Sequence, residues 1–137
     1  MLDNTDWEIL KLLTENCKMQ FRDIGEAVHL TGQAVSKRIL RMEELGIIKG
    51  YSVLLNEKLL GKVLTAYVTI FMKTCDHERF HVFLTENIAV AEASRISGEG
   101  CYLLKIHLAS QGELTLFLDS ILQYGNYRVN ISIEKIK

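Results

Sequence analysis

The stretch FRDIGEAVHLTGQAVSKRILRMEELG, residues 21–46, decides the fold of the N-terminal part of the chain. Apolar residues recur at three- and four-residue steps on both sides of LTG, which predicts two short helices, Phe21–Val28 and about Gln33–Leu45. Thr31 is the expected N-cap of the later helix, and Gly46 is its expected C-terminal cap. Two helices joined by so short a turn indicate a helix-turn-helix.

Another helix is predicted upstream of this pair. Thr5 and Glu8 have the spacing of a capping box, and the apolar pattern that follows predicts a helix ending near Asn16. The three helices are expected to bury the residues at helical spacing, which are Trp7, Ile9, Leu10, Leu13, Phe21, Ile24, Val28, Val35, Ile39 and Met42.

The pattern changes to strands after Gly46. Ile47–Leu55 is rich in β-formers and predicts a strand, and Asn56–Gly61 predicts a turn. Alternation and caps then predict the order strand, helix, strand, strand, helix, strand, over Leu64–Met72, Asp76–Asn87, Ala89–Ser97, Cys101–Leu108, a helix opened by a Ser110–Glu113 capping box, and Tyr127–Ile136. This is a split βαβ, ferredoxin-like sandwich with both helices on one face. The other face is too apolar for water, which predicts a second subunit over it.

The exposed face of the third helix carries polar and basic side chains. A helical wheel places Gln33, Ser36, Lys37, Leu40, Arg41 and Glu44 opposite the buried side, with Arg38 on the flank. A recognition helix needs amide and hydroxyl groups for base edges and cations for phosphates, so this face predicts DNA binding. An ordinary solvated helix face is the alternative. The chain has 16 basic and 17 acidic residues, so affinity for DNA must come from such local clustering.

Together LDNTDWEILKLLTEN, the stretch from Phe21 to Tyr51 and RISGEGCYLLKI resemble the Lrp/AsnC (leucine-responsive, feast/famine) transcription regulators over essentially the whole chain. The resemblance implies a winged helix-turn-helix over residues 1–48, a linker strand and turn over 49–61, and a ferredoxin-like effector and oligomerisation domain over 62–137. It also implies sheet-to-sheet dimers, commonly tetramers of dimers, binding to double-stranded promoter DNA, and in many members a response to an amino acid or other small molecule. An architectural DNA-wrapping protein without an effector is the alternative.

The resemblance also suggests site residues. Gln33, Ser36, Lys37 and Arg41 fall where the family's recognition helix meets DNA, and Arg38 is either a further DNA contact or the partner of Glu43 in an ion pair. The family's ligand loop corresponds to the segment from Ser97, and the implied effector-binding residues are Gly98, Glu99, Gly100, Cys101 and Tyr102. The family usually has an aspartate at the position of Cys101, and a carboxylate pairs with an ammonium far better than a thiol does.

One motif points to a different function. HERFH, residues 77–81, has the H-E-x-x-H spacing of zinc hydrolases. Such an enzyme needs a third ligand, and the only downstream histidine, His107, is expected across a sheet from the helix. A hydrolase therefore stays a remote alternative, and no metal or cofactor is expected. Cys17, Cys75 and Cys101 form no CxxC pair, which predicts reduced thiols. The acidic N-terminus and the lack of a long apolar run predict a cytoplasmic protein.

Overall fold

The computed structural model describes residues 1–137 and divides them into two compact units, Met1–Leu54 and Leu55–Lys137. The first unit contains three helices, α1 Asn4–Glu15, α2 Phe21–Val28 and α3 Gly32–Glu44. The second contains β1 Leu64–Met72, α4 His77–Glu86, β2 Val90–Arg95, β3 Tyr102–Leu108, α5 Gln111–Ile121 and β4 Gly125–Ile131. None of these helices has both the length and the apolar run needed to cross a membrane.

The start of α1 differs from the prediction. Asp3 and Asp6 form the capping box: the Asp3 carboxylate accepts from the Asp6 backbone N–H at 2.9 Å, and the Asp6 carboxylate accepts from the Asp3 N–H at 3.0 Å. The Thr5–Glu8 box was wrong because the helix begins earlier, which places Thr5 inside its first turn.

The core of the first unit consists of aliphatic side chains and Met42. Trp7 and Phe21, which were expected inside, are 61% and 44% exposed. The reason for Trp7 is geometric: Asp6, Ile9 and Leu13 occupy the inward stripe of α1, so Trp7 lies one position outside it. The buried hydrophobic residues are Ile9, Leu13, Ile24, Val28, Val35, Ile39 and Met42.

Tight backbone geometry joins α2 to α3. A Cβ on Gly25 would collide with the carbonyl oxygen of Leu30, so only glycine allows the turn to pack this closely against α2. The predicted caps of α3 are confirmed. Thr31 Oγ1 accepts from the Ala34 N–H at 3.2 Å, and Gly46 has φ +69°. The Ile47 N–H donates to the Met42 carbonyl at 2.9 Å, which completes a Schellman ending.

The second unit has the predicted ferredoxin-like architecture. Its four strands form an antiparallel sheet in the order β2-β3-β1-β4, and α4 and α5 pack on one face. Alternate residues of β1 and β3 supply the middle of the core beneath the helices, namely Ala66, Val68, Ile70, Tyr102, Leu104, Ile106 and Leu108. The last strand begins at Gly125, two residues before the predicted Tyr127, and ends at Ile131, whose partner on β1 is Ala66. One further backbone bond follows it, from the Ser132 N–H to the Thr65 carbonyl at 2.9 Å.

The predicted strand Ile47–Leu55 is absent. The backbone of residues 51–55 makes no ladder with another strand, and Val53 and Leu54 are 76% and 95% exposed. The prediction was wrong for this single chain because β-forming side chains do not supply the neighbouring strand that a ladder requires. The expected turn is present at residues 57–61, where the Lys62 N–H donates to the Glu57 carbonyl at 2.9 Å.

Candidate nucleic-acid interface and effector loop

The outer face of α3 presents the residues predicted to contact DNA. Gln33, Lys37 and Arg41 are exposed, and Ser36 is half-buried. Their positions at i, i+3, i+4 and i+8 place them on one side of the helix, because the helix repeats every 3.6 residues. The opposite side is fixed in the core by Val35, Ile39 and Met42. A rigid helix therefore presents an amide, a hydroxyl and two cations along a single exposed surface.

Arg38 lies apart from that surface. Its Nη1 donates to Asp3 Oδ2 and to Asp6 Oδ1, both at 2.7 Å. The Asp6 side chain is 2% exposed, whereas the Arg38 side chain is 29% exposed. The hydrogen bond from Arg38 holds the pKa of Asp3 below its ordinary value, and the hydrogen bonds to Asp3 and Asp6 raise the pKa of Arg38. One guanidinium nitrogen thus links the N-terminus of α1 to α3.

The alternative pairing of Arg38 with Glu43 is not formed. Glu43 Oε1 instead accepts from the Tyr51 hydroxyl at 2.7 Å. Burial and this bond raise the pKa of Tyr51 to about 12. The partners of Arg38 were missed because they lie 32 and 35 residues away in sequence. The sequence did contain one indication of where α1 begins. Asp3 and Asp6 have the D-x-x-D spacing, which can form a capping box in the same way as S/T-x-x-E.

Arg41 is anchored weakly. Its Nη2 donates to the Met1 carbonyl at 3.3 Å, a long and exposed hydrogen bond. Lys37 lies one turn before Arg41 and forms no ion pair with any acidic residue of the chain. Both cations can therefore turn toward a phosphate without breaking a buried interaction.

The predicted effector residues occupy the connection between β2 and β3. Gly98 and Gly100 have φ values of +88° and +94°, a backbone conformation that residues with a Cβ rarely adopt. A Cβ on Gly100 would lie 2.5 Å from Thr69 Cγ2, so this glycine also permits close packing on β1. The Cys101 N–H donates to the Ile70 carbonyl at 2.7 Å, which holds the end of the loop to the sheet.

The structure brings the loop close to one cation and separates it from Tyr102. Glu99 Oε2 accepts from Arg128 Nη1 at 3.4 Å, and the Arg128 guanidinium is 5.7 Å from the ring centroid of Phe71. The Tyr102 side chain, in contrast, is buried on the helix-covered face of the sheet. Gly98 and Glu99 are therefore exposed, Gly100 is half-buried against β1, and the Tyr102 ring lies in the core beneath α4.

The two histidines of HERFH share one hydrogen-bond partner. His77 Nδ1 lies 2.6 Å and His81 Nε2 lies 2.8 Å from the Tyr102 hydroxyl oxygen. His107 is on the other face of the sheet, as predicted, where its Nδ1 lies 2.9 Å from Thr65 Oγ1 and burial lowers its pKa. No group of three or more His, Cys, Asp or Glu side chains is placed to hold a metal ion.

The comparisons with known proteins cover both units. Residues 2–43 match the AsnC-type helix-turn-helix domain, and residues 65–137 match the Lrp/AsnC ligand binding domain. The HTH-type transcriptional regulator LrpB of Bacillus subtilis (strain 168) is 43% identical over 136 residues, which cover 99% of this chain and 91% of that protein. The chain is similar to the structure of B. subtilis LrpC with a TM-score of 0.95 and 27% identity, over 100% of this chain and 98% of that one.

A second solved structure is similar at lower identity. It is the transcriptional regulator NMB0573 of Neisseria meningitidis in complex with L-Met, with a TM-score of 0.93 and 23% identity, over 100% of this chain and 93% of that chain. The curated relatives are named as transcriptional regulators, which argues against the hypothesis that HERFH belongs to a zinc hydrolase. The two matched domains and the 43% identical relative lead to one conclusion: this chain belongs to the Lrp/AsnC family of transcriptional regulators.

Proposed function

We propose that the chain regulates transcription by sequence-specific binding of promoter DNA through α3. The observation that supports this is the exposed row of Gln33, Lys37 and Arg41 on a helix whose opposite side is fixed in the core. In this proposal residues 1–48 bind DNA, residues 49–61 link the domains, and residues 62–137 carry assembly and effector binding.

Each side chain of the row has a distinct chemical role in the proposal. The amide of Gln33 offers a donor and an acceptor that match an adenine edge in the major groove, and the Ser36 hydroxyl can meet either kind of group. Lys37 and Arg41 neutralise phosphates, which fixes the register of the helix on the duplex. Arg38, the fifth predicted contact, has its Nη1 committed to Asp3 and Asp6.

A dimer is the proposed DNA-binding form. On the helix-free face of the sheet Tyr67 and Leu103 are 40% and 41% exposed, and Phe71 is half-buried. A second copy would remove this apolar surface from water. Two copies related by a twofold axis would present two α3 helices to half-sites roughly 34 Å apart along one face of the duplex. Tetramers of dimers are the proposed higher assembly.

An amino acid is the proposed effector, at residues 97–102. NMB0573, which has the same fold, was solved in complex with L-Met. In this chain Cys101 stands where the family usually has an aspartate, so Glu99 is the only carboxylate of the loop SGEGCY. It is exposed and can pair with an ammonium group. The presence of Cys101 in place of that aspartate favours the second candidate function, an architectural DNA-binding protein without an effector.

Equilibrium binding of the full-length protein to a fluorescent promoter duplex tests the proposal. We expect affinity to fall by orders of magnitude between 50 and 200 mM salt, because bound phosphates release counterions. Lys37→Ala should weaken binding to all duplexes alike, whereas Lys18→Ala, an exposed lysine outside α3, should leave binding unchanged. Binding that is insensitive to salt, or equal losses in the two variants, would contradict the proposal.

A further inference from the structure

A cleft of about 290 Å³ lies between α4 and the edge strand β2. Its lining residues are His81, Leu84, Thr85, Ala93, Arg95 and Tyr102. Pockets for drug-sized ligands occupy about 300–1,000 Å³, so this cleft is at the lower end of that range and suits a ligand of few atoms. It lies entirely within the second unit, and the loop residues 98–100 do not line it.

The sheet register explains why the cleft exists. Ala93 pairs with Leu104, and Arg95 pairs with Tyr102, so both β2 side chains point to the helix-covered face. All positions of β2 from Ala91 to Arg95 are nevertheless exposed. Because β2 is the edge strand and Ala93 is small, the space beneath α4 stays open instead of being filled by core side chains.

The polar groups of the cleft leave one strong donor free. The Thr85 hydroxyl donates to the His81 carbonyl at 2.8 Å, and His81 Nε2 is paired with the Tyr102 hydroxyl. Arg95 forms no ion pair with any acid of the chain. Its guanidinium therefore remains available for the two-pronged hydrogen bonding that carboxylates accept.

The remaining lining determines what else the ligand can carry. Leu84 and Ala93 supply an apolar wall, and the six lining residues include no carboxylate. The ammonium of an amino acid would therefore lose water without gaining an acidic partner, which opposes binding. A monoanion with a compact aliphatic group meets both the free guanidinium and the apolar wall.

We propose that the cleft between α4 and β2 binds a small aliphatic monocarboxylate, with its carboxylate on Arg95 and its hydrocarbon part against Leu84 and Ala93. The hydrogen-bonded pair His81 and Tyr102 forms the floor and fixes the position of α4 over β3. Tyr102 is the only predicted effector residue that contributes to this site. Binding here requires neither DNA nor an occupied loop at residues 97–102.

Calorimetric titration of the full-length protein at constant ionic strength tests the proposal. The probes are 4-methylpentanoate, 4-methyl-2-oxopentanoate and, as the matched zwitterion, leucine. In the Glu99→Gln variant, which lacks the carboxylate of the loop, we expect both monoanions to bind at least about tenfold more tightly than leucine, because an unpaired ammonium is costly to bury. Failure of both monoanions to bind, or equal affinity for leucine in the Glu99→Gln variant, would overturn the proposal.

Four variants localise the binding. Arg95→Met removes the charge but keeps the side-chain length and should weaken binding about ten- to a hundredfold, the usual range for a charged hydrogen bond. Ala93→Leu fills the cleft from the exposed strand and should abolish binding. Arg79→Met, an exposed arginine of α4 outside the cleft, and Glu99→Gln in the loop should bind both monoanions as wild type does. Loss in Glu99→Gln with retention in Arg95→Met would assign the ligand to the loop and refute the cleft site.

Discussion

Arg38 Nη1 donates a hydrogen bond of 2.7 Å to Asp6 Oδ1, and the side chain of Asp6 is only 2% exposed. A buried carboxylate is tolerated when a cation and hydrogen-bond donors satisfy it, and Asp6 also accepts from the Asp3 backbone N–H. Asp6 therefore serves two purposes, because it caps α1 and it ties α1 to α3.

Asp6→Asn should destabilise the first unit. The amide keeps the shape but leaves Arg38 with a weaker partner in a buried position, and we expect a loss of about 2–3 kcal/mol, below the roughly 3–5 kcal/mol of a fully buried pair. Denaturant unfolding followed by the fluorescence of Trp7, the only tryptophan, reports on this unit. Asp23→Asn, in an exposed pair with Arg22, is the control and should change stability by less than about 1 kcal/mol. Equal effects of the two variants would show that burial of Asp6 has no energetic role.

Acid should weaken the same unit through Asp3. Its pKa is lowered first by the hydrogen bond from Arg38 and next by the Asp6 backbone. A carboxylate with a depressed folded-state pKa stabilises the fold above its unfolded pKa, and this stability is lost as pH falls through the folded value. The contribution should therefore be complete above the ordinary value of 3.8 and should be lost as the pH falls from there through the lower pKa of the folded state.

Asp3→Asn isolates this pH effect, because asparagine caps a helix as well as aspartate does. The variant should be less stable than wild type at pH 6, and the two should converge toward pH 2 in Trp7-monitored unfolding. A difference that stays constant with pH would mean that charge on Asp3 is irrelevant.

The salt dependence of DNA binding should separate Lys37 from Arg38. Lys37→Ala should lower the slope of log affinity against log salt by about 1 per protomer, and so by about 2 in a dimer. Arg38→Ala, studied where the protein remains folded, should weaken binding without changing that slope, because its guanidinium is committed to Asp3 and Asp6. A reduced slope in Arg38→Ala would instead identify a phosphate contact.

Gln33→Ala should change which sequences are preferred. Loss of a paired amide at a base edge costs about 1–3 kcal/mol at one base pair. Selection from a randomised duplex pool should therefore show relaxed preference at one position per half-site, with affinity for unrelated DNA unaltered. An unchanged selected sequence would exclude Gln33 from base readout.

The effector loop should respond to charge at residues 99 and 101. Glu99→Gln should reduce the thermal shift produced by amino acids, and Cys101→Asp should enlarge it, because each alters the carboxylates that face an ammonium. A ligand at a hundred times its dissociation constant stabilises by about 2.7 kcal/mol, enough for detection by thermal unfolding. Identical shifts in wild type and both variants would place any amino-acid site elsewhere.

The elements that sequence predicted best are governed by local rules. The bounds of α2 and the caps of α3 and α4 depend on residues within one turn, namely Thr31, Gly46 and Asp76. The strand β1 was equally clear, because its alternation over nine residues allows only one inward face. The outer face of α3 follows from the same periodicity, since the buried positions determine the exposed ones.

The features that sequence missed depend on distant partners. The pairing of Arg38 with Asp3 and Asp6 requires the packing of α1 on α3, which no local pattern specifies. Likewise, nothing in HERFH indicates that both imidazoles meet the Tyr102 hydroxyl, because that depends on how α4 lies across β3. The prediction of a strand at residues 47–55 was wrong for a related reason, because a strand forms only where a second strand is available to hydrogen-bond with it.

The position of β1 beside β4 has a consequence for synthesis on the ribosome. All helices of the first unit lie within residues 1–54, so the first unit can fold while the second unit is still being translated. The sheet cannot, because its central strand β1 pairs with β4, which is the last of the four strands to be made. The newly made chain should therefore leave the backbone N–H and C=O groups along one edge of β1 unpaired until β4 is made, and such an edge is a template for pairing with another chain.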